Sequence, residues 1–119
     1  MAETKIKNQA LNTLVTDSGG ATGYLKIGNT LIQWGVTADK TTSNGPYNGF
    51  YYSSDTAVTF PVAFKTGTVP VITLGLAGGA GGAFCNSYGL SATGVNLRLL
   101  GWANAETSKI SWLAIGIYQ

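Results

Sequence analysis

The sequence predicts an all-β fold, an antiparallel β-sandwich of six to seven short strands in a single domain. Three observations carry that expectation. From Tyr24 onward apolar residues recur with period two in short runs, clusters of Gly, Asn, Asp and Thr separate those runs, and 17 of the 119 residues are glycine, the residue that turns between strands use most freely. A chain of 119 residues lies below the roughly 150 of a usual domain and has no room for a second core.

Residues 1–23 are polar and weakly patterned and end in Asp17-Ser18-Gly19-Gly20, so they read as an N-terminal arm or shaft-proximal segment ahead of a β-sandwich domain over 24–119. Within the arm, Ala10, Leu11, Leu14 and Val15 suit one helical turn or a small patch against neighbouring chains. The expected strands are then Tyr24 to Ile27, Thr30 to Thr37, Ala57 to Phe64, Val69 to Leu76, Ala83 to Ser91, Val95 to Ala103 and Lys109 to Tyr118. Gly28-Asn29 joins the first two as a tight hairpin. Val58, Phe60, Val62 and Phe64 share one face of the third, and Pro61, which lacks a ladder donor, puts that strand at a sheet edge or beside a bulge. In the last strand Ile110, Trp112 and Ala114 alternate with Leu113, Ile115 and Ile117, so both faces are apolar. One face meets the opposite sheet; the other requires cover from another subunit.

The stretch from Lys40 to Asp55 lacks alternation and holds Tyr47, Phe50, Tyr51 and Tyr52 among Ser, Asn, Gly and Pro. It reads as a long aromatic loop, and loops of that length in compact domains are usually functional. Tyrosine with Ser, Gly and Asn is the composition of binding loops, because rigid rings supply contact area at low entropic cost. A second candidate group is Arg98, Trp102, Asn104 and Glu106, a ring, a cation, an amide and a carboxylate at one strand end and turn, with Arg98, Leu100 and Trp102 on one face. Trp102 either stacks against a sugar ring in this way or caps the core beside solvated charges. Trp34 and Trp112 sit in regular strand patterns, as core or subunit-interface residues.

Composition narrows the function classes. Charged residues make up 10% of the chain against a usual quarter, which fits a surface covered by partner subunits or one made of Thr, Ser, Asn and Gly. The net charge of +2 is spread along the chain and leaves no footprint for nucleic acid. No apolar run reaches the ~20 residues that span a bilayer, and the polar start from Met1 to Lys7 has no apolar stretch behind it, so synthesis without a signal peptide and no membrane insertion are expected.

Enzymatic chemistry lacks a toolkit: there are five acidic residues, no histidine and a single cysteine, Cys85, which reads as a small buried apolar side chain. No catalytic residue, cofactor or metal site is expected. Asp39 and Asp55, which flank the aromatic loop, are the one suggestive carboxylate pair, and both read more simply as turn residues. Gly78-Gly79-Ala80-Gly81-Gly82 is followed by no Gly-Lys-Ser/Thr and opens no helix, so it reads as a hairpin connection with positive-φ positions rather than a phosphate loop.

The segments Asn29-Thr30-Leu31-Ile32-Gln33-Trp34-Gly35, Val58-Thr59-Phe60-Pro61-Val62-Ala63-Phe64, Pro70-Val71 and Ser111-Trp112-Leu113-Ala114-Ile115-Gly116 resemble, in order and spacing, the C-terminal receptor-binding tip domain of bacteriophage tail fibre proteins over about Tyr24 to Tyr118. The same skeleton is more loosely similar to H-type lectins. Both resemblances imply an antiparallel sandwich assembling as a homotrimer. They imply, for fibre tips, binding of a host bacterial surface glycan or outer-surface protein and, for the lectins, binding of N-acetylgalactosamine-like sugars. Fibre tips imply further partners in other tail fibre segments and a place in the virion. The functional expectation is thus a lectin-like tip whose exposed loops touch the host, with a free-standing lectin, a purely structural tail or baseplate component and a hydrolase as rivals. A start at Met1 suits a short complete protein and the end of a longer fibre equally.

Overall fold

The computed structural model describes residues 15–119 except 19, 80 and 81, with side chains described from residue 20 onward. Within these residues the chain forms eleven strand segments: β1 (Val15–Ser18), β2 (Gly23–Ile27), β3 (Thr30–Val36), β4 (Lys40–Thr41), β5 (Asn44–Tyr47), β6 (Phe50–Tyr52), β7 (Thr56–Thr59), β8 (Val71–Ala77), β9 (Ala83–Tyr88), β10 (Gly94–Gly101) and β11 (Thr107–Ile117). All seven expected strands are present, and β1, β4, β5 and β6 add four short ones.

Two antiparallel sheets build the sandwich. In the first, β1, β2, β3 and β11 lie in order, β8 flanks the opposite edge of β11, and β4 pairs with the start of β11. In the second, β10 is central: β9 runs along one edge, β6 and β7 follow one another along the other, and β5 closes the sheet beyond β6. Leu31, Phe60, Phe64, Val95, Leu97, Leu99, Ile110, Trp112 and Ala114 form the buried core between them.

The segments that carry the tail fibre resemblance are mutual contacts in that core. Gly35 on β3 has no side chain because the Trp112 indole of β11 lies where a Cβ would be, 2.6 Å away. Gly116 leaves the same kind of room for the Phe64 ring, 2.8 Å from an added Cβ. Phe60 packs edge-on against Phe64 at 5.3 Å and tilts against Trp112 at 5.5 Å. Gln33 is fully buried, and its amide acts as a strand partner in the core: Nε2 donates to Val62 O at 2.7 Å and Oε1 accepts from Val62 N at 2.8 Å.

That last pair of bonds explains where the expected strand over Ala57 to Phe64 departs from the structure. β7 ends at Thr59, and Phe60 and Phe64 remain core residues on a segment that runs from one sheet to the other. Its Phe60 N–H donates to Thr93 O and its Lys65 N–H to Ile117 O, while Pro61 needs no ladder partner. The expected loop over Lys40 to Asp55 is also revised, since β5 and β6 form a hairpin there that pairs into the second sheet. Tyr and Phe at half-exposed positions favour a strand, which outweighed the surrounding Gly and Pro.

Of the expected arm, residues 15–18 run as β1 along the edge of the first sheet, and Ala10, Leu11, Leu14 and the Val15 side chain lie outside the described residues. Gly28 turns the β2–β3 hairpin at φ +59°, and Gly78 and Gly79 open the β8–β9 connection at +92° and +91°, as the turn readings anticipated.

The outer face of the first sheet stays uncovered by the other described residues. Leu113, Ile115 and Ile117 are 39–49% exposed there. Ile115 sits between Ile32 on β3 and Val71 on β8, and Ile27 and Val36 extend the patch. Its aliphatic make-up matches the two-faced apolar pattern of the last strand.

Candidate functional site

The outer face of the second sheet differs in chemistry. Alternation along β10 buries Val95, Leu97 and Leu99 and turns Asn96, Arg98 and Leu100 outward. The register with β9 sets Phe84 beside Leu100, Asn86 beside Arg98 and Tyr88 beside Asn96. On the other edge Tyr52 pairs with Leu100, and Tyr47 pairs with Phe50 across the β5–β6 hairpin. Aromatic rings from three strands, β5, β6 and β9, therefore flank the one arginine of β10.

A β-bulge centres the polar group. Residues 53–55 connect β6 to β7 opposite only Arg98 and Leu99 of β10. Buried Ser53 holds the ladder together there: its N–H donates to Leu99 O at 2.9 Å, and its hydroxyl accepts from Leu99 N at 3.0 Å. Such an insertion re-aims the residues after it, and here it brings Asp55 against Arg98. Arg98 Nε donates to Asp55 Oδ1 at 2.9 Å, and an Nη of the same guanidinium lies 2.8 Å from that oxygen. The Tyr88 hydroxyl donates to Asp55 Oδ2. The guanidinium also lies 5.2 Å from the Tyr52 ring centre and 5.5 Å from that of Tyr88, within cation–π range.

Protonation states follow from these contacts. The Tyr88 hydroxyl, then Arg98, hold the Asp55 carboxyl below its ordinary value. The same carboxylate pushes the Tyr88 phenol and the Arg98 guanidinium up. The triad stays ionised as Asp⁻ and Arg⁺ with a neutral tyrosine through the neutral range.

Trp102 follows β10 and stands 64% exposed, so it does not cap the core. Its ring lies 4.6 Å from Phe50 and 5.9 Å from Phe84, and those two meet edge-on at 5.5 Å. Buried Thr42 fixes the turn that carries it: the Thr42 hydroxyl donates to Ala103 O at 2.9 Å and accepts from Glu106 N at 2.9 Å, while Ala105 N donates to Thr42 O at 2.8 Å. Beside this cluster Tyr47, Phe50, Tyr52, Arg98 and Leu100 line an open recess of about 300 Å³, at the small end of ligand-site volumes.

The two groups singled out in the sequence thus share one surface in large part. Tyr47, Phe50, Tyr52, Arg98 and Trp102 converge, and Asn104 is exposed on the adjoining turn. Tyr51 does not join them, because strand alternation turns it to the opposite face of β6 from Phe50 and Tyr52. Glu106 does not either: its carboxylate packs where a Cβ on Gly82 or Gly101 would sit, with Oε2 buried and without a partner among the described residues. Phe84, Tyr88 and Asp55 belong to the surface without having been singled out as binding residues. The alternation of Phe84, Asn86 and Tyr88 inside an expected strand was the signal for the first two. Asp55 depends on the bulge, which local sequence does not announce.

Asp39 is tied instead to Lys109 at 3.1 Å, so each of the two carboxylates weighed for hydrolysis has its own cation. Cys85 is partly buried, and burial pushes its thiol up. Among the described residues no cluster of His, Cys, Asp and Glu is arranged to hold a metal.

The family model for the C-terminal region of gp53-like tail fiber proteins matches residues 24–117. No curated protein matches the chain. An N-truncated R1-type pyocin tail fiber superimposes with a TM-score of 0.66 at 20% identity, over 98% of this chain and 96% of that one. A P. aeruginosa R1 pyocin fiber fragment gives 0.65 at 20% identity over 98% of this chain and 31% of that one, so the chain spans about a third of that fragment's length. An N-truncated R2-type pyocin tail fiber gives 0.62 at 20% identity over 98% and 43%. At such identity these structures establish the shared fold.

Proposed function

Because the chain belongs to the gp53-like C-terminal family of tail fibre proteins, we propose that it is the receptor-binding tip of a fibre, attaching a virion or similar particle to a bacterial surface glycan during adsorption. The observation that carries this reading is the exposed aromatic surface of the second sheet, in which Trp102, Phe50 and Phe84 adjoin the Arg98–Asp55–Tyr88 group. A pyranose presents an apolar C–H face suited to stacking on such rings, and its hydroxyls pair with fixed polar groups like these. The contacts assigned to the receptor are Tyr47, Phe50, Tyr52, Arg98 and Trp102, with Asn104 at the margin. The role is binding without catalysis.

The tip works as a homotrimer in this proposal, attached to other fibre segments. The support is the aliphatic outer face of the first sheet, where Leu113, Ile115 and Ile117 are uncovered among the described residues and a second copy would remove them from water. Division of labour between the two outer faces, aliphatic for assembly and aromatic for the receptor, leaves the receptor surface free in the assembled tip.

The test is binding of fluorescently labelled protein to a panel of bacterial strains, with stripped envelopes and free glycans as competitors. Strain-restricted binding that Trp102→Ala reduces at least tenfold is the expected result. A verified trimer that ignores every strain would replace this reading with a structural tail component.

A further inference from the structure

Resting on the receptor reading of this surface, we infer that the site selects uncharged pyranosides and discriminates against anionic sugars such as uronates. The argument lies in how the one guanidinium of the recess is used. Arg98 directs both Nε and an Nη at Asp55 Oδ1, at 2.9 and 2.8 Å, so one edge of the guanidinium is taken and its charge is already balanced, and an incoming carboxylate gains little ionic attraction from the outer nitrogens that remain. Asp55 itself is 40% exposed and keeps a negative charge at the rim, which repels a second one. Lys40, the other cation among the described residues whose charge reaches Asp55, is not among the side chains that line the recess.

The remaining surface is suited to an uncharged ring. Four of the five recess side chains are aromatic or aliphatic, and Trp102 supplies an exposed ring in contact with Phe50. Polar capacity remains for hydroxyls: the outer nitrogens of Arg98 donate, and Asp55 and the Tyr88 oxygen accept. Donors and acceptors held in fixed opposition match hydroxyl groups, which do both, better than a carboxylate, which only accepts.

The experiment uses the full chain and pairs of methyl hexopyranosides with their uronate counterparts in gluco, galacto and manno configuration. Binding is followed by tryptophan fluorescence or chemical shifts, beside adhesion of the labelled protein to cells. The expected result is that at least one uncharged member binds, its uronate binds roughly tenfold more weakly given a like charge a few ångströms away, and Trp102→Ala removes the response. Asp55→Asn, which frees Arg98, should close that gap by strengthening uronate binding. Equal or tighter uronate binding by the wild-type chain overturns the inference, as does a gap unchanged by Asp55→Asn. Trp102-dependent adhesion to cells with no saccharide bound also overturns it while leaving the receptor reading in place, whereas absence of all adhesion defeats that reading itself.

Discussion

Replacing Gln33 by leucine leaves a side chain of similar size and removes its amide, so its main effect is the loss of the two bonds to Val62. The residue is fully buried, and Val62 loses partners for both its N–H and its C=O. A buried backbone group left without a partner costs about 1–3 kcal/mol, which gives roughly 2–6 kcal/mol for the pair. Val62 is only half-buried, so water relieves part of this, and leucine gains roughly 1 kcal/mol by burying apolar atoms in place of the amide. The net expected loss is about 2 kcal/mol, a large share of the 5–15 kcal/mol that typically holds a domain together. Urea unfolding at fixed protein concentration, followed by tryptophan fluorescence, measures it. A midpoint shift equivalent to under about 0.5 kcal/mol, with unchanged m-value, would refute the view that the Gln33 amide anchors the segment crossing between the sheets.

Three further outcomes are expected. Gly35→Ala forces a methyl into the Trp112 indole and should destabilise by roughly 1–3 kcal/mol, read from the same unfolding curves. Leu113→Asp places a charge in the middle of the aliphatic face and should shift sedimentation toward the monomer while leaving the far-UV circular dichroism of the sandwich intact. Cell binding should be flat between about pH 5 and pH 9, because no histidine is present and the site's carboxyl and phenol titrate outside that window. The signs are opposite at the two ends: stabilisation from Asp55, whose folded value is lowered from 3.8, is present above that value and lost as pH falls through the lowered one. Stabilisation of the neutral Tyr88 phenol, raised from 10.0, is present below that value and lost as pH rises through the raised one. A bell-shaped adhesion profile centred near neutrality would contradict this assignment.

The strands were legible wherever one face of a segment is buried and the other is not, as along β10, where buried Val95, Leu97 and Leu99 alternate with Asn96 and Arg98. What escaped the sequence was set by contacts across the fold. Phe60 and Phe64 show a strand pattern because both reach the core, yet the backbone between them is held by Gln33, 29 residues earlier in the chain than Val62. The β5–β6 hairpin hides its alternation behind Gly45, Pro46 and Gly49, and only its pairing with β10 turns Phe50 and Tyr52 to one face and Tyr51 to the other. For the candidate site, residue type was informative and direction was not. Rings, arginine and tryptophan pointed to binding, while the bulge at Ser53 decided that Asp55 joins Arg98.

An open recess of about 300 Å³ and a flat cluster of rings would enclose a ligand on one side only, and such a surface would give modest affinity at a single site. Assembly changes the consequence. In the proposed homotrimer, three copies fixed on one tip would engage neighbouring glycans with an effective concentration set by their spacing, and avidity would then exceed the single-site affinity by orders of magnitude without any new contact. The two outer faces of the sandwich would thus be coupled in function although they share no residue. On that proposal the exposed aliphatic face around Leu113 and Ile115 would supply the copy number that the aromatic face around Trp102 needs. The same proposal fits the low charge of the chain, with 10% of residues charged: a face kept for subunits and another kept for sugar rings would each tolerate few lysines or glutamates.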